Sequence, residues 1–135
     1  MPYLLLIIEP VGQRAERTEA QGREAYAAMQ RFGERLRAQG RLRAVESLGS
    51  TADAVRISEA PGALRRIDGP FAEAKEMVGG FFLLDGVTRE QAIELARECP
   101  AAQWATVEVR SLAPCFDDSR APAVDPGGVV ETTRS

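Results

Sequence analysis

The chain opens with a short, unbroken hydrophobic run, Leu-Leu-Leu-Ile-Ile at positions 4–8, which ends at Pro10 and Gly12. An apolar run of this length, stopped by turn-forming residues, predicts a buried β-strand over residues 3–9. No basic segment precedes the run, and five residues are too few for a membrane span or a signal-peptide core. The pattern therefore favours a strand inside a folded domain.

The next segment, residues 16–39, has the hydrophobic spacing of a helix. Its apolar positions recur at intervals of four, three and four, at Ala25, Met29, Phe32 and Leu36. This spacing places them on one face, and Gly40 is a typical helix stop. A second helix is predicted over residues 88–98, where Thr88 and Gln91 have the spacing of a capping box.

Short alternating or continuous apolar segments predict further strands at residues 42–48, 54–58, 64–67, 81–84 and 104–110. The order of elements is β-α-β-β-(β)-β-α-β. This order predicts one antiparallel sheet with two helices on one face, that is, a ferredoxin-like α+β sandwich.

Both faces of the predicted central strands are apolar. In the first strand Leu4, Leu6 and Ile8 alternate with Tyr3, Leu5 and Ile7, and later Phe81 and Leu83 alternate with Phe82 and Leu84. Two helices cover one face, so we expect the other to pack against a second copy and form a homodimer, sheet against sheet.

The alternative is that the C-terminal segment folds over this uncovered face. That segment, residues 115–135, is polar and without periodicity, which predicts a flexible tail after a domain of residues 1–114.

The composition excludes several kinds of chemistry. The 135 residues hold 17 basic and 20 acidic side chains, a net charge of −3 that does not favour binding to nucleic acid or an anionic membrane. Histidine is absent, which excludes Ser-His-Asp and Cys-His catalysis and imidazole metal sites. Cys99 and Cys115 are too few for a disulfide framework or a zinc site. We expect a cytoplasmic protein with two free thiols and no metal or cofactor.

Charged residues on the predicted strands are candidates for a polar cleft. They are Glu9, Glu46, Arg56, Glu108 and Arg110. In the last strand the alternation places Trp104, Thr106, Glu108 and Arg110 on one face and Ala105, Val107 and Val109 on the other. We expect the aliphatic face to meet the helices and the polar face to contribute to a site for a small polar or anionic molecule. Ion pairs and solvated strand ends are the simpler account of most of these charges.

An unusual stretch, Asp-Gly-Pro-Phe-Ala-Glu-Ala-Lys-Glu, occupies residues 68–76, and Gly79-Gly80-Phe81 follow. Asp68-Gly69-Pro70 predicts a rigid turn. We expect Asp68 to accept backbone hydrogen bonds there and Phe71 to be buried. Lys75 and Glu76 would then lie at the rim of a cleft.

This stretch closely resembles the signature of the YCII-related, or DGPF-motif, family: D-G-P-F-x-E-x-K-E, then G-G and an aromatic pair. The flanks agree, with an opening strand at residues 1–9 and a "P-A-A … V-E-V-R" ending at residues 100–110. The resemblance spans residues 1 to about 112. It implies a ferredoxin-like protomer in a dimeric α+β barrel, and a small bacterial protein of a kind often encoded beside extracytoplasmic-function sigma factors. Some YCII-related proteins carry a His and Asp pair proposed as catalytic, but here Glu46 lies where some relatives have the histidine.

Two functions remain open. The first is a small-molecule-binding protein, or a small enzyme of unassigned reaction, with a polar cleft at the dimer interface. Its candidate ligand-binding residues are Glu46, Arg56, Asp68, Lys75, Glu76 and Arg110. The second is a non-catalytic regulatory or partner-binding module, linked to a sigma factor. Eight of the 17 basic residues lie between Arg14 and Arg43, although interleaved glutamates make a solvated helix face the simpler explanation.

Overall fold

The structure, a computed structural model, describes residues 2–116. Its elements are β1 (Tyr3–Pro10), α1 (Glu19–Ala38), β2 (Leu42–Ser47), β3 (Val55–Ala60), β4 (Ala63–Asp68), β5 (Glu76–Leu84), α2 (Arg89–Glu98) and β6 (Thr106–Ser111). Short 3-10 helices lie at Arg14–Glu16, Thr51–Asp53 and Pro100–Gln103. The predicted flexible tail, residues 115–135, lies outside the described residues from position 117 onward.

Four strands form an antiparallel sheet in the order β2-β5-β1-β6. Both helices contribute to the same core cluster on one side of this sheet. The predicted ferredoxin-like α+β fold is therefore confirmed, and within the chain the sheet is open and not closed into a barrel. Neither helix of residues 2–116 is long and apolar enough to cross a membrane.

The prediction that all strands join one sheet was wrong. Within the described part of the chain, β3 and β4 pair with each other and form a separate hairpin between β2 and β5. All six residues of each hairpin strand are exposed, including Val55, Ile57 and Leu64. Alternation correctly predicted extended backbone here, but it carries no information about which strand is the neighbour.

The register of the sheet assigns its two apolar faces. Leu5, Ile7, Phe82 and Leu84 are buried under the helices, where Phe32 and Leu36 of α1 and Leu95 of α2 contact the same cluster. Because partners directly opposite each other share a face, the alternating residues of β1 and β5 lie on the uncovered side. These are Leu4, Leu6, Ile8, Phe81 and Leu83, which we name the open face.

Helix boundaries follow from local hydrogen bonds. Thr88 and Gln91 form the predicted capping box at the start of α2. Thr18 and Gln21 form a second capping box, so α1 begins at Glu19 and not at the predicted residue 16. The residues just before Thr18 form a separate 3-10 helix, which brings Arg14 back over the end of β1. This short turn determines the site described next.

Candidate ligand-binding cavity

A cavity of about 870 Å³ lies between α1 and the sheet. The buried residues of α1 are in its second half, where Phe32 packs edge-on against Phe82 with ring centres 5.2 Å apart. The first half of the helix faces the sheet with the small residues Gly22 and Ala25, which leave the space between them and the sheet unfilled. Packing thus anchors one end of α1 and leaves a cavity under the other.

Helical geometry identifies the face of α1 that is directed at the cavity. Residues 22, 29 and 33 lie on one face of the helix, because residue 29 follows residue 22 by about two turns and residue 33 follows it by about three turns. A Cβ at Gly33 would meet Cε2 of Phe82 at 3.5 Å, so this face is directed at the sheet. At Gly22 an added Cβ would have no contact within 4 Å. Gly22 therefore lies over open space inside the cavity.

An ion pair with a buried carboxylate forms part of the cavity wall. Glu9 is 6% exposed and lies at the end of β1 on the helix-covered side, next in alternation after Leu5 and Ile7. Arg14 donates from Nε to Oε1 at 2.8 Å and from Nη2 to Oε2 at 3.2 Å. This two-point contact matches the planar guanidinium to the carboxylate and compensates the charge that burial would otherwise leave unpaired.

Gly79 provides the room for this carboxylate. In the β1–β5 register Ile7 pairs with Gly80 and Ile8 with Val78, so Gly79 is an extra, unpaired residue that forms a β-bulge. A Cβ at Gly79 would overlap Oε2 of Glu9. The Gly79 carbonyl accepts the Leu48 backbone N–H at 2.9 Å, and Nη2 of Arg14 lies 3.4 Å from it. The strand predicted over residues 81–84 begins at Glu76, so the glycine pair lies inside it.

A second arginine is held beside this pair by neutral groups. The Arg17 guanidinium lies over the Trp104 ring, 5.6 Å from its centre, and Nη2 donates to Oε1 of Gln13 at 3.2 Å. Gln13 in turn donates from Nε2 to the Trp104 carbonyl at 2.8 Å. Trp104 precedes β6 and packs against the core cluster, so its predicted place on the polar face of that strand was wrong.

The remaining lining combines apolar walls with balanced charge. The apolar part includes Ile7, Met29, Val45 and Phe82. The charged part consists of Arg14, Arg17, Arg23, Arg37, Glu9, Glu19, Glu34 and Glu46. Arg23 pairs with Glu19 at 2.6 Å on the exposed outer part of the helix. Such a site offers both apolar contact area and several charged groups for orienting a ligand.

The predicted site residues do not come together in this cavity. Glu46 contributes to its lining from the edge strand β2, but its pairing with Phe81 places its side chain on the open face. Arg56 lies on the hairpin with its guanidinium 3.8 Å from the centre of the buried Phe71 ring. Arg110 pairs with Glu108 at 3.1 Å, so part of the predicted polar face consists of an ion pair.

Three further candidates lie around the Asp-Gly-Pro-Phe turn. Phe71 is buried as expected, and Lys75 and Glu76 are exposed and do not line the cavity. Asp68 accepts a hydrogen bond from Nε of Arg66 at 3.0 Å, not from the backbone. The turn is held instead by the Gly69 N–H, which donates to the Ala54 carbonyl at 2.7 Å. The expected role of Asp68 in fixing the turn was therefore wrong, because a neighbouring arginine on the same strand binds its carboxylate.

Sequence reasoning named Glu9 among the charged strand residues but did not predict its pairing with Arg14. It also missed the contacts of Arg17 with Gln13 and Trp104. In the sequence, Arg14 and Arg17 stand out only as two of the eight basic residues between Arg14 and Arg43. The available signal was the carboxylate at the end of a buried strand, followed by arginines after a Pro-Val-Gly turn. It did not suffice, because the cavity depends on the register of β5 and on where α1 begins.

The two cysteines are both free, Cys99 buried and Cys115 exposed. Burial raises the pKa of the Cys99 thiol to about 11, an effect that a hydrogen bond with the Ala101 backbone partly offsets. The thiol lies 3.9 Å from the Met29 sulfur. The described residues contain no group of three or more Cys, Asp or Glu side chains suited to hold a metal ion.

The fold and the cavity define a ferredoxin-like α+β domain with an inserted hairpin and a charged cavity under its first helix. The chain belongs to the YCII-related domain family, whose model matches residues 1–115. It is also similar to a protein of Rhizobium meliloti (strain 1021) described as uncharacterized, with 38% identity over 76 residues. The match covers 55% of this chain, and the chain spans about 61% of the relative's length.

Proposed function

We propose that this protein binds a small organic molecule in the cavity between α1 and the sheet. The observation that carries the proposal is the Glu9–Arg14 ion pair on the wall of a cavity of about 870 Å³. Cavities that hold small ligands have volumes of roughly 300–1,000 Å³, apolar walls and a few fixed polar groups. The cavity lies on the helix side of the sheet, within one chain. The cleft expected at a dimer interface is a separate prediction.

Filling the cavity tests the proposal directly. Gly22→Leu extends a side chain from α1 into the open space of the cavity, so it reduces the volume available to a ligand without deleting a contact. Gly22→Ala is the first control, because it improves helix propensity and fills little volume. Ala20→Leu is the second control, because Ala20 lies nearly opposite on the helix and is exposed.

A library of small organic acids, amines, sugars and aromatic amides is screened by thermal shift against the wild type and these variants. A ligand that binds only the native state raises the melting temperature. We expect compounds that stabilise the wild type, Gly22→Ala and Ala20→Leu but not Gly22→Leu. Compounds that stabilise all four proteins equally would place binding elsewhere and contradict the proposal.

We also propose that the chain forms a homodimer through the open face. Its support is the set of half-buried apolar side chains on β1 and β5 that the two helices do not reach. A second copy presents the same flat apolar surface, and two sheets pack face to face through such surfaces. Charged residues at both edges of the sheet, Glu46 on β2 and Arg110 on β6, would lie at the rim of this interface.

Light scattering at micromolar concentration measures this directly, with an expected mass of twice the 14.6 kDa of the chain. Phe81→Glu should give a monomer or an unfolded chain, because it buries an unpaired charge in the interface. Ile57→Glu is the matched control, since Ile57 is 59% exposed on the hairpin. A monomeric wild type, or dissociation caused by Ile57→Glu and not by Phe81→Glu, would contradict the proposed interface.

A further inference from the structure

We propose that the ligand of this cavity is a small monocarboxylate with an apolar body, and that Arg17 binds its carboxylate. This inference rests on the proposed function of the cavity and specifies its ligand. It rests on three observations. They are the contacts that position Arg17, the charges of Glu9, Arg14 and Arg17, and the apolar residues that line the cavity.

Arg17 is positioned without an acidic partner. Its guanidinium lies over the Trp104 ring, and Nη2 donates to Gln13, whose own amide is fixed by the Trp104 carbonyl. Among the described residues no ion pair or other hydrogen bond involves this guanidinium, so Nε and Nη1 keep their donors. A cation–π contact and a neutral hydrogen bond orient the planar group without neutralising it. Gln13 takes one of the two N–H bonds of Nη2, so the other N–H of Nη2, together with its neighbour Nη1 or Nε, can bind a carboxylate through two parallel hydrogen bonds.

The charge next to Arg17 favours one anionic group. Glu9 and Arg14 neutralise each other, and Nε and Nη2 of Arg14 are both used by Glu9. Of Glu9, Arg14 and Arg17, which all line the cavity, Arg17 therefore carries the one charge that is not neutralised within the group. Within residues 2–116 Nη1 of Arg14 donates no hydrogen bond, so a second arginine that lines the same cavity also keeps a donor. One excess charge and two free donor groups correspond to a monocarboxylate better than to a dianion.

The apolar residues that line the cavity favour a ligand with a hydrocarbon body. Met29 of α1 and Val45 of the sheet are half-buried and offer apolar surface to a ligand, whereas Ile7 and Phe82 line the cavity with little exposed surface of their own. A fully polar ligand would leave these side chains in contact with polar groups and would lose the benefit of burying apolar area. A planar or branched hydrocarbon body attached to one carboxylate satisfies both parts of the cavity.

The test compares three probes with one carbon skeleton: 2-naphthoate, the neutral 2-naphthamide and the cationic 2-naphthylmethylamine. Dissociation constants are measured by calorimetry on the full chain. We expect 2-naphthoate to bind at least about tenfold more tightly than the amide, because a charged hydrogen-bond pair is lost in the amide. We also expect Arg17→Gln to remove this preference while it leaves the affinity for the amide unchanged. Arg31→Gln removes the same charge from an exposed pair outside the cavity and should have no effect.

The outcomes separate the ligand class from the site. Equal or tighter binding of the amide or the amine, still abolished by Gly22→Leu, would overturn the carboxylate proposal and leave the cavity as the binding site. Binding of 2-naphthoate that Gly22→Leu does not weaken would overturn both. Absence of binding of all three probes at millimolar concentration would overturn the carboxylate proposal, and the library screen then decides the proposed function. The probe comparison on the wild type needs no variant, so it stands even if Arg17→Gln is poorly folded.

Discussion

The carboxylate of Glu9 lies in the space that a side chain at residue 79 would occupy. Gly79 is the extra residue of the β-bulge opposite β1, and a Cβ there would overlap Oε2 of Glu9. The backbone of Gly79 is not in the left-handed region, so the need for glycine is steric and does not come from its dihedral angles. The position of the Glu9 carboxylate therefore requires a glycine at residue 79.

Gly79→Ala should reduce the free energy of unfolding by roughly 1–3 kcal/mol, as overpacking of a well-packed site does. The methyl group would displace the Glu9 carboxylate from Arg14. Urea unfolding gives the value, and Gly22→Ala is the control because the same methyl group there meets open space. In the double variant Glu9→Ala/Gly79→Ala the cost of the alanine at 79 should largely disappear. Strictly additive effects would show that the two residues do not share this space.

Arg14→Met should destabilise the protein much more than Arg23→Met. Loss of Arg14 leaves Glu9, whose side chain is 8% exposed, as a buried charge without its partner. We expect a loss of roughly 2–3 kcal/mol, below the full cost for a buried pair because Arg14 itself is one-third exposed. Arg23 pairs with Glu19 in full solvent, so its loss should change stability by less than about 0.5 kcal/mol. Equal effects in chemical unfolding would contradict a structural role for Glu9–Arg14.

At the Asp-Gly-Pro-Phe turn, Gly69→Ala should be far more harmful than Asp68→Ala. A Cβ at Gly69 would overlap the Thr51 carbonyl and would push the turn away from the 3-10 helix at the base of the hairpin. Asp68 pairs with Arg66 at the exposed surface, so its removal should cost at most about 1 kcal/mol. Thermal unfolding of the two variants decides between them. A larger loss for Asp68→Ala would restore the role that the sequence suggested for that carboxylate.

The buried thiol of Cys99 predicts a loss of stability at high pH. In the unfolded chain the thiol titrates at its ordinary pKa of 9.0, and in the folded protein burial raises the pKa to about 11. Between these values the unfolded chain binds fewer protons, so the free energy of unfolding falls as the pH rises, by up to about 1.4 kcal/mol per unit. Below about pH 9 this contribution is fully present. Cys99→Ala should show a shallower decline in urea unfolding between these pH values, and parallel curves would refute the assignment.

Local sequence patterns sufficed for the elements and the fold class. The spacing of Ala25, Met29, Phe32 and Leu36 predicted α1, and the pair Thr88 and Gln91 predicted the start of α2, because helix periodicity and caps are set by residues close in sequence. Together with the order of strands, these signals specified the ferredoxin-like arrangement. The residues from Asp68 to Phe81 were also enough to indicate the family.

The tertiary structure alone decided where the site lies. Whether Phe81 or Phe82 faces the helices depends on the register of β5, and a shift of one residue would exchange the two faces. The bulge at Gly79 sets that register and makes room for Glu9, whose partner Arg14 returns from beyond a turn. The exposed hairpin and the cavity under α1 likewise depend on which strands pair and where the helix contacts the sheet. These are contacts between residues distant in sequence, which hydrophobic periodicity along the chain does not encode.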